Sequence, residues 1–168
     1  MSLIDFAELK VGHFVKICGK FRHAAGFVAV EITLEPVSDD GEIECVIQEV
    51  DRRRKTLHVC DQEILIPDGI EMKDEDGEVV NSMALQSGDM IKLKGIFTAD
   101  GFVPRKIKLR PAKEFNVEQV QGVIDRLDYE RRTMAVNGIN VLVTAKTVIE
   151  PGDSSEEFRD LAVPYIQI

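Results

Sequence analysis

The chain contains no tryptophan, and aromatic residues make up only 6% of it, so any core has to be built mainly from Val, Ile and Leu. No apolar run approaches the ~20 residues of a membrane-spanning helix, and no N-terminal segment joins a basic stretch to a long apolar one. Neither a membrane span nor a signal peptide is therefore expected. Cysteine is scarce: Cys18, Cys45 and Cys60 form an odd set with no Cys-x-x-Cys spacing. Glycine-rich phosphate loops are missing, since Gly69, Gly77 and Gly88 fit neither a P-loop nor a dinucleotide fingerprint. Basic residues are outnumbered, 21 against 30, and the net charge of −9 disfavours non-specific phosphate binding.

What is present is globular: 168 residues, 44% hydrophobic and 30% charged, enough for one ordinary domain or two very small ones. The chain repeats itself at an offset of about 76 residues. Residues 9–21 (Leu-Lys-Val-Gly-His-Phe-Val-Lys-Ile-Cys-Gly-Lys-Phe) answer residues 85–97 (Leu-Gln-Ser-Gly-Asp-Met-Ile-Lys-Leu-Lys-Gly-Ile-Phe). Gly26-Phe27-Val28 then matches Gly101-Phe102-Val103. One residue further in offset, Val46–Asp51 and Arg54–Val59 answer Val123–Asp128 and Arg131–Val136. Leu161–Ile168 resembles the opening of the Leu9 and Leu85 segments, so the array is cut out of phase.

Short alternating apolar patterns predict strands at Phe14–Gly19, Val28–Leu34, Ile43–Val50, Thr56–Cys60, Ile64–Ile66, Ile91–Phe97 and Val103–Leu109. Residues 24–26, 99–101 and Asn137-Gly138 read as hairpin turns. Capping-box spacing at Asp5–Glu8 and Ser154–Glu157, with a weaker analogue at Asn81-Ser82, predicts one-turn helices and little other helix. The expected fold class is all-β: two tandem small five-stranded OB-like or Greek-key barrels with minor one-turn helices. Residues 42–113 make the first complete barrel. Residues 1–41 plus 114–168 make the second, assembled from the N-terminal hairpin and the C-terminal strands. A strand-incomplete C-terminus also admits a strand-swapped homodimer.

Candidate chemistry is sparse. His58 and Cys60 are two apart on one predicted strand, half of a zinc site without evident further ligands. A Cys45–Cys60 disulfide is geometrically conceivable, yet the alternation of Cys60 with Leu57 and Val59 puts the two sulfurs on opposite faces, and small, partly buried thiols are expected. His13 stands where Asp89 stands in the repeat, His23 lies in a turn, and all three histidines read as surface residues. The acidic clusters Asp39-Asp40, Asp74-Glu75-Asp76 and Glu156-Glu157 fall in loops, and Asp74–Glu78 lacks the ligand spacing of an EF-hand. No catalytic residue, metal or cofactor is expected.

Charge is the strongest local feature. Residues 84–113 carry seven basic and two acidic residues, a net +5. By strand alternation Lys92 and Lys94, with Lys106, Lys108 and Arg110, line one outer sheet face. These five are the candidate binding residues. Exposed aromatics for base stacking are not expected there, because Phe97 and Phe102 have repeat-mates in Phe21 and Phe27 that suggest core or turn packing. The basic turns Arg52-Arg53-Arg54-Lys55 and Arg131-Arg132 need no ligand to explain them.

The combination of Gly122-Val123-Ile124, Leu127-Asp128, Arg132-Thr133-Met134-Ala135-Val136, Leu85, Gly88-Asp89-Met90-Ile91, Gly95, Gly101 and Ile107 resembles the bacterial family catalogued as domain of unknown function 5666. Cys45 replaces the signature Gly in the middle copy, and Pro164-Tyr165 replaces Gly-Asp in the last. The resemblance implies an exported or cell-envelope protein with tandem copies, the cytoplasm being the alternative, and supplies no catalytic residue. The expected function is a non-enzymatic binding or structural module of a larger bacterial protein, its partner an unknown protein or further copies of the same repeat. The alternative is an OB-like single-stranded nucleic-acid binder using the basic face.

Overall fold

The computed structural model describes residues 3–81, 84–110 and 117–152. Helix is scarce among them: a 3-10 turn, Phe6–Glu8, is closed by the Asp5 N–H donating to Glu8 Oε2 at 2.8 Å, as the capping-box spacing predicts, and Ala84 is also 3-10, its N–H donating to the Asn81 carbonyl at 2.9 Å. The rest is strand and turn. Ser82 and the Ser154–Glu157 segment lie outside the described residues, as does Leu161–Ile168.

The first hairpin is β1 (Phe14–Arg22) and β2 (Gly26–Glu35). The chain continues through β3 (Gly41–Val46), β4 (Glu49–Asp51), β5 (Thr56–Val59), β6 (Gln62–Leu65) and β7 (Glu71–Lys73). A second long hairpin, β8 (Met90–Thr98) and β9 (Gly101–Arg110), follows, and then β10 (Glu118–Asp128), β11 (Thr133–Val136) and β12 (Ile139–Glu150). One ring is fully closed: β1 pairs β2, β2 pairs β12 in parallel, and antiparallel pairs β12–β11, β11–β10 and β10–β1 complete it. The middle of the chain keeps the same neighbour order with two members split. β3 pairs β8, β8 pairs β9, β9 pairs β7 in parallel, and β4–β5–β6 form a separate meander. The strand predicted over Ile43–Val50 is thus two strands. Ile47 turns away between them, exchanging backbone hydrogen bonds with the Gly88-Asp89 turn.

The core is aliphatic, as the composition requires. Positions equated by the sequence repeat are buried in both halves: Val15 and Ile91, Ile17 and Leu93, Phe27 and Phe102, Ile43 and Val120, Val59 and Val136. Backbone irregularities recur likewise. The β1–β2 register slips between Cys18 and Gly19, and the β8–β9 register slips between Lys94 and Gly95. A Cβ on Gly19 would stand 2.0 Å from the Val28 carbonyl oxygen, and one on Gly95 would stand 2.1 Å from that of Val103. Each bulge therefore demands glycine for a close backbone approach. The two-residue turns Cys60-Asp61 (φ 52 and 57) and Asn137-Gly138 (φ 53 and 78) share the left-handed pair of a type I′ hairpin.

The two halves join by β3 pairing with β10 in the register Gln119↔Glu44, Val120↔Ile43 and Gln121↔Glu42. Glu42, Ile43 and Glu44 are the repeat-mates of Gln119, Val120 and Gln121, so the pairing maps onto itself under a pseudo-two-fold axis between Ile43 and Val120. Contacts of this self-complementary kind close rather than propagate.

Gly19→Ala and Gly95→Ala are each expected to destabilise the full chain by about 2 kcal/mol or more, read as the shift in urea unfolding. Gly77→Ala, at a positive φ of 83 but with nothing near its Cβ position, should cost about 1 kcal/mol. Equal effects at all three positions would contradict the close-approach assignment.

Candidate functional site

All five sequence-predicted cations fall on one face. Lys92 and Lys94 of β8 lie directly opposite Lys108 and Lys106 of β9, and Arg110 lies opposite Met90. Like charges facing each other across strands repel, and the flanking strands supply the answer. Glu44 and Glu42 of β3 pair in register with Lys92 and Lys94, while Glu71 of β7 pairs with Lys106. The resulting ion pairs are Lys92–Glu42 at 3.6 Å, Arg110–Glu44 at 3.2 Å and Lys106–Glu71 at 3.8 Å, with Arg105–Asp40 at 3.3 Å beside them. Among the described residues Lys94 and Lys108 have no carboxylate within ion-pair distance. They border an open cavity of about 470 Å³ whose far wall is the acidic Asp74–Gly77 loop. The face is therefore a charge checkerboard rather than a cationic track. Segment-by-segment counting missed this because Glu42, Glu44 and Glu71 lie far away in sequence; their one sequence signal was the alternation Glu42-x-Glu44.

The other charged clusters serve the fold. Arg52 donates to the Leu85 carbonyl at 2.7 Å, Arg54 pairs with Glu63 at 3.2 Å, and Lys55 pairs with Asp68 at 2.7 Å. Arg132 donates to the Val143 carbonyl and lies over the Phe6 ring. Asp74 Oδ1 accepts the backbone N–H groups of Asp76 and Glu78, holding its own turn. Among the described residues no group of three His, Cys, Asp or Glu side chains is placed to hold a metal. His58 and Cys60 do not converge: His58 is half-exposed between Glu49 and Glu63, at 3.5 and 3.6 Å, while Cys60 turns into the core. Phe102 is buried; Phe97 is 38% exposed and leans against the Asn137-Gly138 turn.

Two expectations about single residues need correction. His13 is not a surface histidine but is buried. Its Nδ1 accepts the Lys10 N–H at 3.1 Å, as the Asp89 carboxylate accepts the Gln86 N–H at 3.0 Å in the equivalent turn. The sulfurs of Cys45 and Cys60 do not lie on opposite faces; they stand 3.0 Å apart. Strand alternation stops counting at Val59, because Cys60 already belongs to the turn.

Two of the buried polar residues, Glu118 and Asn137, lie at the junction of the halves. The Glu118 carboxylate accepts the N–H of Phe21 from β1 at 2.8 Å and that of Val46 from β3 at 3.0 Å. Asn137 Nδ2 donates to the carbonyls of Gln121 at 2.9 Å and Glu42 at 3.2 Å, while the Asn137 carbonyl accepts from Gln62 Nε2 at 2.9 Å. Charge-assisted bonds from backbone N–H groups are what make a buried carboxylate tolerable.

Residues 121–164 match the family model described as Domain of unknown function (DUF5666). The resemblance expected from the sequence is thus shown over that stretch, which takes in most of β10 and all of β11 and β12. No curated protein and no solved structure matches the chain.

Burial, with Lys10 nearby, holds His13 below its ordinary value of 6.5. A side chain whose folded-state value is depressed contributes stability that is complete above pH 6.5 and is lost as the pH falls below it. Urea midpoints should therefore fall between pH 7.5 and pH 5.5, and His13→Asp, which restores an Asp89-like acceptor, should flatten that fall. Identical pH profiles for the two proteins would contradict the role given to His13.

Proposed function

We propose that this chain is a non-enzymatic structural or interaction module: two OB-like β units fixed back to back, presenting a mixed-charge face to a protein partner within a larger bacterial protein. The observation that carries the reading is the use made of the polar groups. Glu118 and Asn137, both buried, spend their hydrogen-bonding capacity on backbone groups of both halves. The outer cations meet carboxylates brought in by β3 and β7. A surface of alternating charge suits a protein surface of complementary pattern, where specificity comes from register rather than from total charge.

The neighbour order of the closed ring, with its single parallel pair, supports the OB-like description. In such barrels the second and third strands and their adjoining loops are the usual oligonucleotide platform. In the middle unit the corresponding strands β5 and β6 carry His58 and Glu63, and Glu49 of the neighbouring β4 joins them, so that two carboxylates flank the imidazole along that platform, which favours the protein-partner reading over the nucleic-acid one.

The test is single-stranded oligonucleotide binding at low salt, followed by fluorescence anisotropy. The protein is expected to show no saturable binding. The triple variant Glu42→Gln, Glu44→Gln, Glu71→Gln, which uncovers the cations, is expected to bind with a steep salt dependence. Tight, salt-sensitive binding by the unaltered protein that is lost on Lys94→Glu with Lys108→Glu would overturn the reading in favour of a nucleic-acid module.

A further inference from the structure

The buried thiols at the junction have no part in that reading. Cys45 lies on β3 and is fully buried; Cys60 opens the β5–β6 turn and is 6% exposed. At the equivalent place in the closed ring, the Asn137 side chain lies over Gly122, where a Cβ would stand 2.6 Å from Asn137 Oδ1. The asparagine amide ties that turn to the neighbouring strands by the two hydrogen bonds described above. In the other half both members of the pair are exchanged, Gly122 for Cys45 and Asn137 for Cys60. The tie is replaced by two sulfurs 3.0 Å apart, about 1 Å more than the length of a disulfide bond. The turn geometry that aims Cys60 inward is the same type I′ pair that aims Asn137 inward.

We propose that Cys45 and Cys60 are a redox-active dithiol that closes to a disulfide and clips β3 to the β5–β6 turn, a covalent counterpart of the Asn137 tie. The oxidant is of the small-molecule disulfide class. Cys60, the sulfur nearer solvent, attacks one sulfur of oxidised glutathione, forming a mixed disulfide and releasing one glutathione. Cys45 then attacks the Cys60 sulfur and expels the second glutathione. Two protein thiols and one oxidised glutathione become one protein disulfide and two glutathione thiols, which carry the two protons. Burial, the contact with Cys60 and the nearby Glu118 carboxylate all push the Cys45 thiol well above the ordinary cysteine range, so little thiolate is present and the exchange is slow. Cys18, on β1, takes no part.

The experiment is equilibration of the folded full chain in buffers of varied oxidised-to-reduced glutathione ratio, acid quenching, alkylation in denaturant and mass spectrometry. Trypsin cuts at Arg52-Arg53-Arg54-Lys55 between the two cysteines, so a Cys45–Cys60 bond appears as two joined peptides. The expected product carries a single alkyl group, on Cys18, and the joined pair. Its unfolding equilibrium constant should be lower by on the order of 100-fold, a gain that Cys60→Ala lacks. In urea the same bond should need a far more oxidising buffer, because only the fold holds the sulfurs together. Three alkyl groups at every ratio, a mixed disulfide confined to Cys18, or equal oxidation midpoints in the presence and absence of urea would each overturn the proposal. None of these outcomes depends on what the charged face binds.

Discussion

The antiparallel pairing of β3 with β10 is the contact on which the other features rest. It makes one continuous nine-stranded sheet out of the closed ring and the β3–β8–β9–β7 strands, and it brings the Glu118 carboxylate within reach of Phe21 and Val46 at once. Neither half could bury that carboxylate alone. A desolvated carboxylate is costly unless its oxygens are satisfied, so Glu118 is tolerable only when β1, β3 and β10 are all in place.

The same contact explains how an out-of-phase chain closes. β1 and β2 precede the middle strands, β10 to β12 follow them, and the two groups complete each other's ring across nearly the whole sequence. Closing so long a loop costs chain entropy, though the cost grows only slowly with length. The β3–β8–β9–β7 strands reduce it by bringing Gly41, close after β2, against Gly95, while β10 docks on the other edge of β3. Because the β3–β10 register is self-complementary, it is satisfied by two units and offers no third one a place. The contact thus defines a closed pair rather than an endless stack.

Much of this was legible in the sequence, and the rest was hidden for identifiable reasons. Repeated Val, Ile and Leu positions gave the all-β class and the buried set, because a pleated strand with one face in the core alternates with period two. Gly19 and Gly95 were visible as repeated glycines, but not as bulges, since the carbonyls they approach belong to β2 and β9. The basic face was placed correctly on β8 and β9, whereas its neutralising acids come from β3 and β7, whose neighbourhood only the topology reveals. His13 was correctly equated with Asp89 and wrongly exposed: the equivalence concerned a backbone N–H to be accepted, a need that burial does not remove. Cys60 was misplaced because strand alternation was carried one residue too far, into a turn with positive φ.

The coupling of the two halves through their shared strand pairing is most directly tested by native-state hydrogen exchange. The amides of Ile17 and Val136 in the closed ring would be compared with those of Leu93 and Val59 in the other half, in the unaltered chain and in Glu118→Ala. The account predicts one common opening free energy for the slowest amides of both halves, lowered in both by the substitution. Two separate opening free energies in the unaltered chain, with the substitution felt on one side alone, would contradict it.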